Sequence, residues 1–211
     1  MRVVLFDVDG VLLNSWATHM RIWRSWSEYH DFDFDSVWAA THGRRIVETL
    51  ADIAPHLDPQ VEEARIHDIM LAQTDAFPAM PGAAALLASL PAGRWAIVTS
   101  AKGENVRHRF RIAGLPIPRI LVDNGAVSNG KPDPEGYLAG AQGLDASPGD
   151  CLVVEDAPAG VAAGKAAGMT VLALATTHTP QELAAADRRI GSLTEGANAI
   201  HAWLRGDPLT S

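Results

Sequence analysis

Short, uninterrupted apolar runs bounded by turn residues punctuate this chain, the pattern of strands buried on both faces. Five such runs stand out: Val3 to Val8, Trp95 to Thr99, Ile120 to Val122, Cys151 to Glu155 and Val171 to Leu174. Between the last four lie stretches at helical spacing, each stopped by a glycine: Gly103 to Ala113 before Gly114, Asp133 to Gln142 before Gly143, and Ala157 to Ala167 before Gly168. Strand and helix alternating in this way predict an α/β fold, a Rossmann-like doubly wound parallel sheet with helices on both faces.

The first strand breaks the rhythm, because the next begins only near Trp95 and one crossover helix cannot fill that gap. From Ser15 to about Phe77 the chain is rich in Trp, His and charge, with apolar residues at helical spacing such as Ile22, Trp26 and Tyr29, then Val47, Leu50 and Ala54. This predicts a small helical insertion that returns through Pro78 to Gly82 into a sheet-packing helix from Ala83 to Leu90. The expected organisation is a core of residues 1–14 and 81–211 and a helical cap with linkers over 15–80. The last residues, Gly206 to Ser211, are expected to fray.

Composition narrows the function classes. With 211 residues, 47% hydrophobic and 20% charged, the chain can build one ordinary core with an insertion. Its 17 Lys plus Arg against 25 Asp plus Glu give a net charge of −8, which argues against nucleic acid and anionic membrane as partners. A lone cysteine, Cys151, excludes an intramolecular disulfide and a Cys-rich zinc site, and suits a reducing compartment, the cytoplasm. No apolar run reaches the roughly 20 residues that span a bilayer, so neither a membrane helix nor a signal peptide is expected.

Ligands of doubly wound sheets bind beyond the carboxyl ends of the strands. The expected strand ends carry Asp7 and Asp9, Thr99 and Ser100, and Glu155 and Asp156, with Lys131 in the loop after the third strand. Converging carboxylates repel one another unless a cation sits among them, and an all-oxygen set suits Mg²⁺ with a substrate phosphate. Lys131, the Thr99 hydroxyl and backbone N–H groups near Ser100 could hold that phosphate. On an extended strand Asp7 and Asp9 would share a face, one carboxylate to attack and its neighbour to move protons. The run Gly125 to Lys131 matches the first seven positions of a P-loop, but Pro132 stands where Ser or Thr is required, so ATP hydrolysis is rejected. Trp16, Trp23, Trp26 and Trp38 are expected to form the insertion's own core, with lining of a cleft as the alternative.

Four segments, Phe6-Asp7-Val8-Asp9-Gly10-Val11-Leu12, Ile97-Val98-Thr99-Ser100, Gly130-Lys131-Pro132-Asp133-Pro134 and Val153-Val154-Glu155-Asp156-Ala157-Pro158-Ala159-Gly160, resemble in order and spacing the motifs of the haloacid dehalogenase superfamily of phosphohydrolases. The helical insertion after the first motif matches the branch with a helical cap. The run from Glu155 to Gly168, with His42-Gly43-Arg44-Arg45, is similar to glycerol-phosphate and 2-deoxyglucose-6-phosphate phosphatases within it. The resemblance implies that Asp7 attacks phosphorus, that Asp9 serves as acid and base, and that Thr99 and Lys131 hold the phosphoryl oxygens. It implies Mg²⁺ bound by Asp7, the backbone carbonyl of Asp9 and Asp156, with Glu155 as ligand or neighbour. An acid-base Asp at position 9 disfavours dehalogenation. Substrate contacts are expected from Ser100 and from His19, His42 and Arg45 of the cap, and Asn14 departs from the acidic residue many relatives carry at the hinge.

The expected activity is Mg²⁺-dependent hydrolysis of a small sugar or polyol phosphate through an aspartyl-phosphate, by a monomer or small homo-oligomer. A phosphomutase of the β-phosphoglucomutase type and a non-catalytic binder of a phosphorylated ligand remain the alternatives at this point. Two intact carboxylates in the first motif speak against the binder, which would not require both.

Overall fold

The computed structural model describes residues 1–41, 43–72 and 77–209. Six parallel strands, β1 (Val3–Phe6), β2 (Trp95–Val98), β3 (Leu121–Val122), β4 (Cys151–Glu155), β5 (Thr170–Leu174) and β6 (Arg188–Ile190), lie in the order β3-β2-β1-β4-β5-β6. The chain winds outward from β1 to one edge, then crosses back to the other side of β1. Strand order therefore reverses beside β1, and the crevice there opens at the end of the strand that carries Asp7.

Between β1 and β2 the chain forms α1 (Trp16–Tyr29), α2 (Phe34–Ala39), α3 (Ile46–Ile53), α4 (Pro59–Leu71) and then α5 (Ala83–Ser89). After β2 come α6 (Gly103–Ala113), α7 (Glu135–Gly143), α8 (Pro158–Ala166) and α9 (Leu193–Arg205). Side chains alternate across the sheet, as the two-residue period of strands demands. Val4, Phe6, Ile97 and Val154 pack with Leu86 of α5, Phe110 of α6 and Trp203 of α9 on one face. Val3, Leu5, Val98 and Val153 pack with Tyr137 of α7 and Val161 of α8 on the other.

The helices α1 to α4 hold a third apolar cluster, with Ile22, Trp23, Trp26, Val37, Leu50 and Ile66 buried at its centre. Trp26 is stacked on Phe32 at 5.3 Å and its indole N–H donates to Glu62 Oε2 at 2.9 Å. This cluster contains no residue of the sheet, so the helical segment carries a core of its own. Tyr29, an expected apolar position, is 64% exposed, with the Arg65 guanidinium 4.1 Å above its ring.

Three expectations change. The first strand stops at Phe6, because the backbone turns at Val8, whose carbonyl accepts from the N–H groups of Leu12 and Leu13. A sixth strand and a last long helix follow β5, where the apolar pattern is too thin to announce them. Within the insertion, Trp23 and Trp26 join the core while Trp16, Trp23 and Trp38 face a cleft, so the two readings of the tryptophans both hold, residue by residue. None of the described helices is long and apolar enough to cross a membrane.

Candidate active site

The carboxyl ends of β1, β2 and β4 and the loop before α7 bring Asp7, Thr99, Lys131, Glu155 and Asp156 together, all of them buried. Lys131 Nζ stands 2.6 Å from Asp7 Oδ1 and 2.6 Å from Glu155 Oε1. Glu155 is fully enclosed: it also accepts from the Tyr137 hydroxyl at 2.9 Å and from the backbone N–H groups of Asp156 and Ala157 at 2.8 and 3.0 Å. Gly160 lets α8 lie against this carboxylate, since a Cβ there would collide with the Glu155 side chain. Gly10, at φ +77°, passes Asp156 in the same way, in a conformation that suits glycine.

Three carboxylate oxygens, one each from Asp7, Glu155 and Asp156, lie within 4.8 Å of one another. One lysine cannot balance three buried anions. Burial lifts the Asp7 carboxyl to about 7 against the pull of Lys131, and burial with the neighbouring Glu155 and Asp7 raises Asp156 well above the usual carboxylate range. Glu155 alone is held low: burial opposes this, but Lys131 and two backbone N–H groups outweigh it. The unbalanced charge and the all-oxygen donor set fit a divalent cation bound beside Asp7 and Asp156.

Asp9 belongs to a different corner. Its carboxylate faces Arg109 Nη1 at 3.4 Å and His19 Nε2 at 3.8 Å, and it lies outside the triad of metal-compatible oxygens. Burial would raise its pKa, yet His19 and Arg109 hold it below the ordinary value. Because β1 ends at Phe6, Asp7 and Asp9 do not share a strand face; the turn that follows aims both at one cleft instead.

That cleft lies between the strand ends and the helical segment and opens to solvent at its mouth. Asp7, Asp9, Thr99, Ser100 and Asp156 line one side, and residues of α1 to α4 and their loops line the other, His19 among them. The Thr99 hydroxyl accepts from the Ala101 N–H at 3.1 Å, and Ser100 Oγ donates to the Gly43 carbonyl at 3.2 Å. Arg45, expected to touch substrate, binds Glu48 and the carbonyls of Val127 and Ser128 and lines an adjoining recess with Thr99, Ser100 and Lys131, while its neighbour Arg44 lines the cleft. His42 lies outside the described residues.

Sequence reading passed over three contributors. Arg109 is 5% exposed in α6, lies 3.9 Å over the Phe77 ring and reaches Asp9; a helix interior gave no hint of it. Tyr137 is likewise hidden on a helix. Thr177, whose hydroxyl donates to the Asp156 carboxylate, follows β5, and the strand-end rule applied to that strand would have found it.

A family described as haloacid dehalogenase-like hydrolase matches residues 1–168. Over 183 residues, 84% of this chain and 85% of the other, the chain is 42% identical to hexitol phosphatase A of Escherichia coli. It is 35% identical over 208 residues to validoxylamine A 7'-phosphate phosphatase of Streptomyces hygroscopicus subsp. limoneus, covering 92% of this chain and 95% of that protein. The solved structure of a hydrolase from Pseudomonas syringae superposes with a TM-score of 0.84 at 24% identity, over 95% of this chain and 98% of that one.

Proposed function

Because the chain belongs to the haloacid dehalogenase-like hydrolases, we propose that it is a phosphatase that hydrolyses a small sugar or polyol phosphate with Mg²⁺ as its cation. The observation that carries the reading is the buried Asp7–Lys131–Glu155 arrangement with Asp156 in reach, at the floor of an open cleft. Both relatives named above are phosphatases, one of them of hexitol phosphates, which supports the substrate class.

In this reading Asp7 Oδ attacks phosphorus, the P–O bond to the alcohol breaks, and Asp9 gives the leaving oxygen its proton. The Asp7 phosphoester is then attacked by water, whose proton Asp9 takes back, and inorganic phosphate leaves with Asp7 restored. Lys131 and Thr99 hold the phosphoryl oxygens through both transfers, where charge builds. Glu155 keeps the Lys131 ammonium in place from behind. Asp7, Asp156 and the Asp9 carbonyl would hold the cation, which when bound offsets the negative charge of the phosphoryl oxygens. The helical segment over 15–80 acts as a cap, closing the cleft and excluding water from the first transfer.

The test is phosphate release from a panel of phosphorylated sugars, polyols and short acids, with and without Mg²⁺. Turnover that requires the cation and vanishes in Asp7→Asn is the expected result; Asp9→Asn should retain binding and lose about 10² to 10⁴ in kcat. Activity that survives Asp7→Asn would overturn the assignment. Phosphoryl return to a sugar, needing a bisphosphate and releasing no phosphate, would make the protein a mutase instead.

A further inference from the structure

Of the three arginines in α6, Arg107 and Arg111 face solvent and Arg109 faces inward. It stands on the helix face that also buries Val106 and Phe110, a position where an apolar side chain would pack at no electrostatic cost. Burying a guanidinium is expensive unless it meets a counter-charge. Among the described residues, the carboxylate within ion-pair reach of it is that of Asp9, at 3.4 Å. Its other contacts fix the side chain rather than neutralise it. Nη2 lies 2.8 Å from the Met70 sulfur of α4, a weak acceptor, and the guanidinium carbon lies 3.9 Å from the centre of the Phe77 ring.

Asp9 meets the helical segment separately, through His19 at 3.8 Å and the Ser15 hydroxyl at the start of α1. Arg109 instead belongs to a helix packed on the sheet, so the Asp9 carboxylate is gripped from both parts of the molecule. It stays outside the Asp7, Glu155 and Asp156 oxygens that suit a cation. A group that passes a proton to a leaving oxygen must be aimed, and a misplacement of about 1 Å can cost about 10²-fold in rate. Resting on the phosphatase reading above, we propose that Arg109 is a positioning residue: it acts through Asp9, holding that carboxylate where the leaving alcohol oxygen takes its proton, rather than by binding the phosphoryl group itself. As the P–O bond breaks, its electron pair goes to the alcohol oxygen, which takes the Asp9 proton. A carboxyl turned away from that oxygen leaves an alkoxide to depart unaided.

Leaving groups separate this role from a structural one. The alkoxide of a polyol phosphate needs that proton, whereas p-nitrophenolate and acetate depart as stable anions. With Mg²⁺ present, kcat/KM is measured for glucitol 6-phosphate, or whichever alkyl phosphate of the panel turns over fastest, and for p-nitrophenyl phosphate and acetyl phosphate. Arg109→Met should lower the alkyl value by about 10- to 10²-fold and the two activated values by less than about threefold, the pattern Asp9→Asn should show in stronger form. With Asp9 already replaced by Asn, Arg109→Met should cost less than about threefold more on the alkyl phosphate. Arg109→Lys, which keeps a cation beside Asp9, should lie between the unaltered protein and Arg109→Met. Arg109→Gln carries the same test if Arg109→Met does not fold. An equal fall on all substrates, or a full further loss in the Asp9→Asn background, makes Arg109 a brace or a substrate ligand and overturns the proposal while the phosphatase reading stands. If the unaltered protein hydrolyses none of these compounds, the phosphatase reading fails and this inference with it.

Discussion

Lys131 bridges two buried carboxylates. It is 7% exposed and shared between Asp7 and Glu155, so its loss would leave a fully buried Glu155 carboxylate without a counter-charge. Breaking one partner out of such a pair costs about 3 to 5 kcal/mol. Lys131→Met should therefore lower unfolding stability by roughly that amount in a urea titration, with activity lost as well. Adding Glu155→Gln should restore much of the stability and none of the activity, which separates the structural from the chemical share. Gly160→Ala places a methyl group against the same carboxylate and should cost about 1 to 3 kcal/mol with a fall in turnover. Asp7, Asp9, Thr99, Glu155 and Asp156 could be gathered from the sequence because each stands at or just past the end of an apolar run that announces a strand, and Lys131 from its Gly-Lys-Pro-Asp-Pro setting. Arg109 could not, since a helix gives no rule for which of its charged residues turns inward. The partners of Arg45 were hidden for a related reason: a basic residue near a cleft has many possible partners, and Glu48 with two backbone carbonyls holds it.

At the scale of elements, α4 is started by Asp58, whose side chain accepts from the N–H groups of Gln60 and Val61, with Pro59 in the first turn. Asp58→Ala should cost about 1 kcal/mol in thermal unfolding. The same helix carries Glu62, to which Trp26, His30 and Arg65 all point. Burial would raise the Glu62 carboxyl, but the bonds from Trp26 and His30 dominate and hold it below the ordinary value. A group lowered on folding contributes stability above its unfolded value and loses that contribution as pH falls through the folded one. The unaltered protein should therefore lose stability more steeply than Glu62→Gln as the pH is taken from about 5 to 3, measured by denaturant titration at each pH. Helices with two-sided apolar spacing and central strands were legible in the chain because burial demands the pattern. The edge strand Arg188–Ile190 was not: only Ile190 is buried, and an edge needs no unbroken apolar run.

Across the whole molecule, the helical segment and the sheet are clasped beside Lys131. Arg45 donates to the carbonyls of Val127 and Ser128, and Glu48 accepts from the Gly130 N–H at 2.9 Å, one residue before Lys131. Ser100 reaches across to the Gly43 carbonyl on the same side. Glu48→Ala should therefore weaken the joined state without touching the carboxylates, with kcat/KM falling roughly fivefold, about 1 kcal/mol, in steady-state assays. The six tryptophans divide unevenly over these two parts: Trp16, Trp23, Trp26 and Trp38 in the helical segment, Trp95 in β2 and Trp203 of α9 packed on the sheet. Three of the six, Trp16, Trp23 and Trp38, line the cleft. With Trp95 and Trp203 replaced by phenylalanine, the molecule becomes its own optical gauge of what enters the cleft, read without a dye and without turnover.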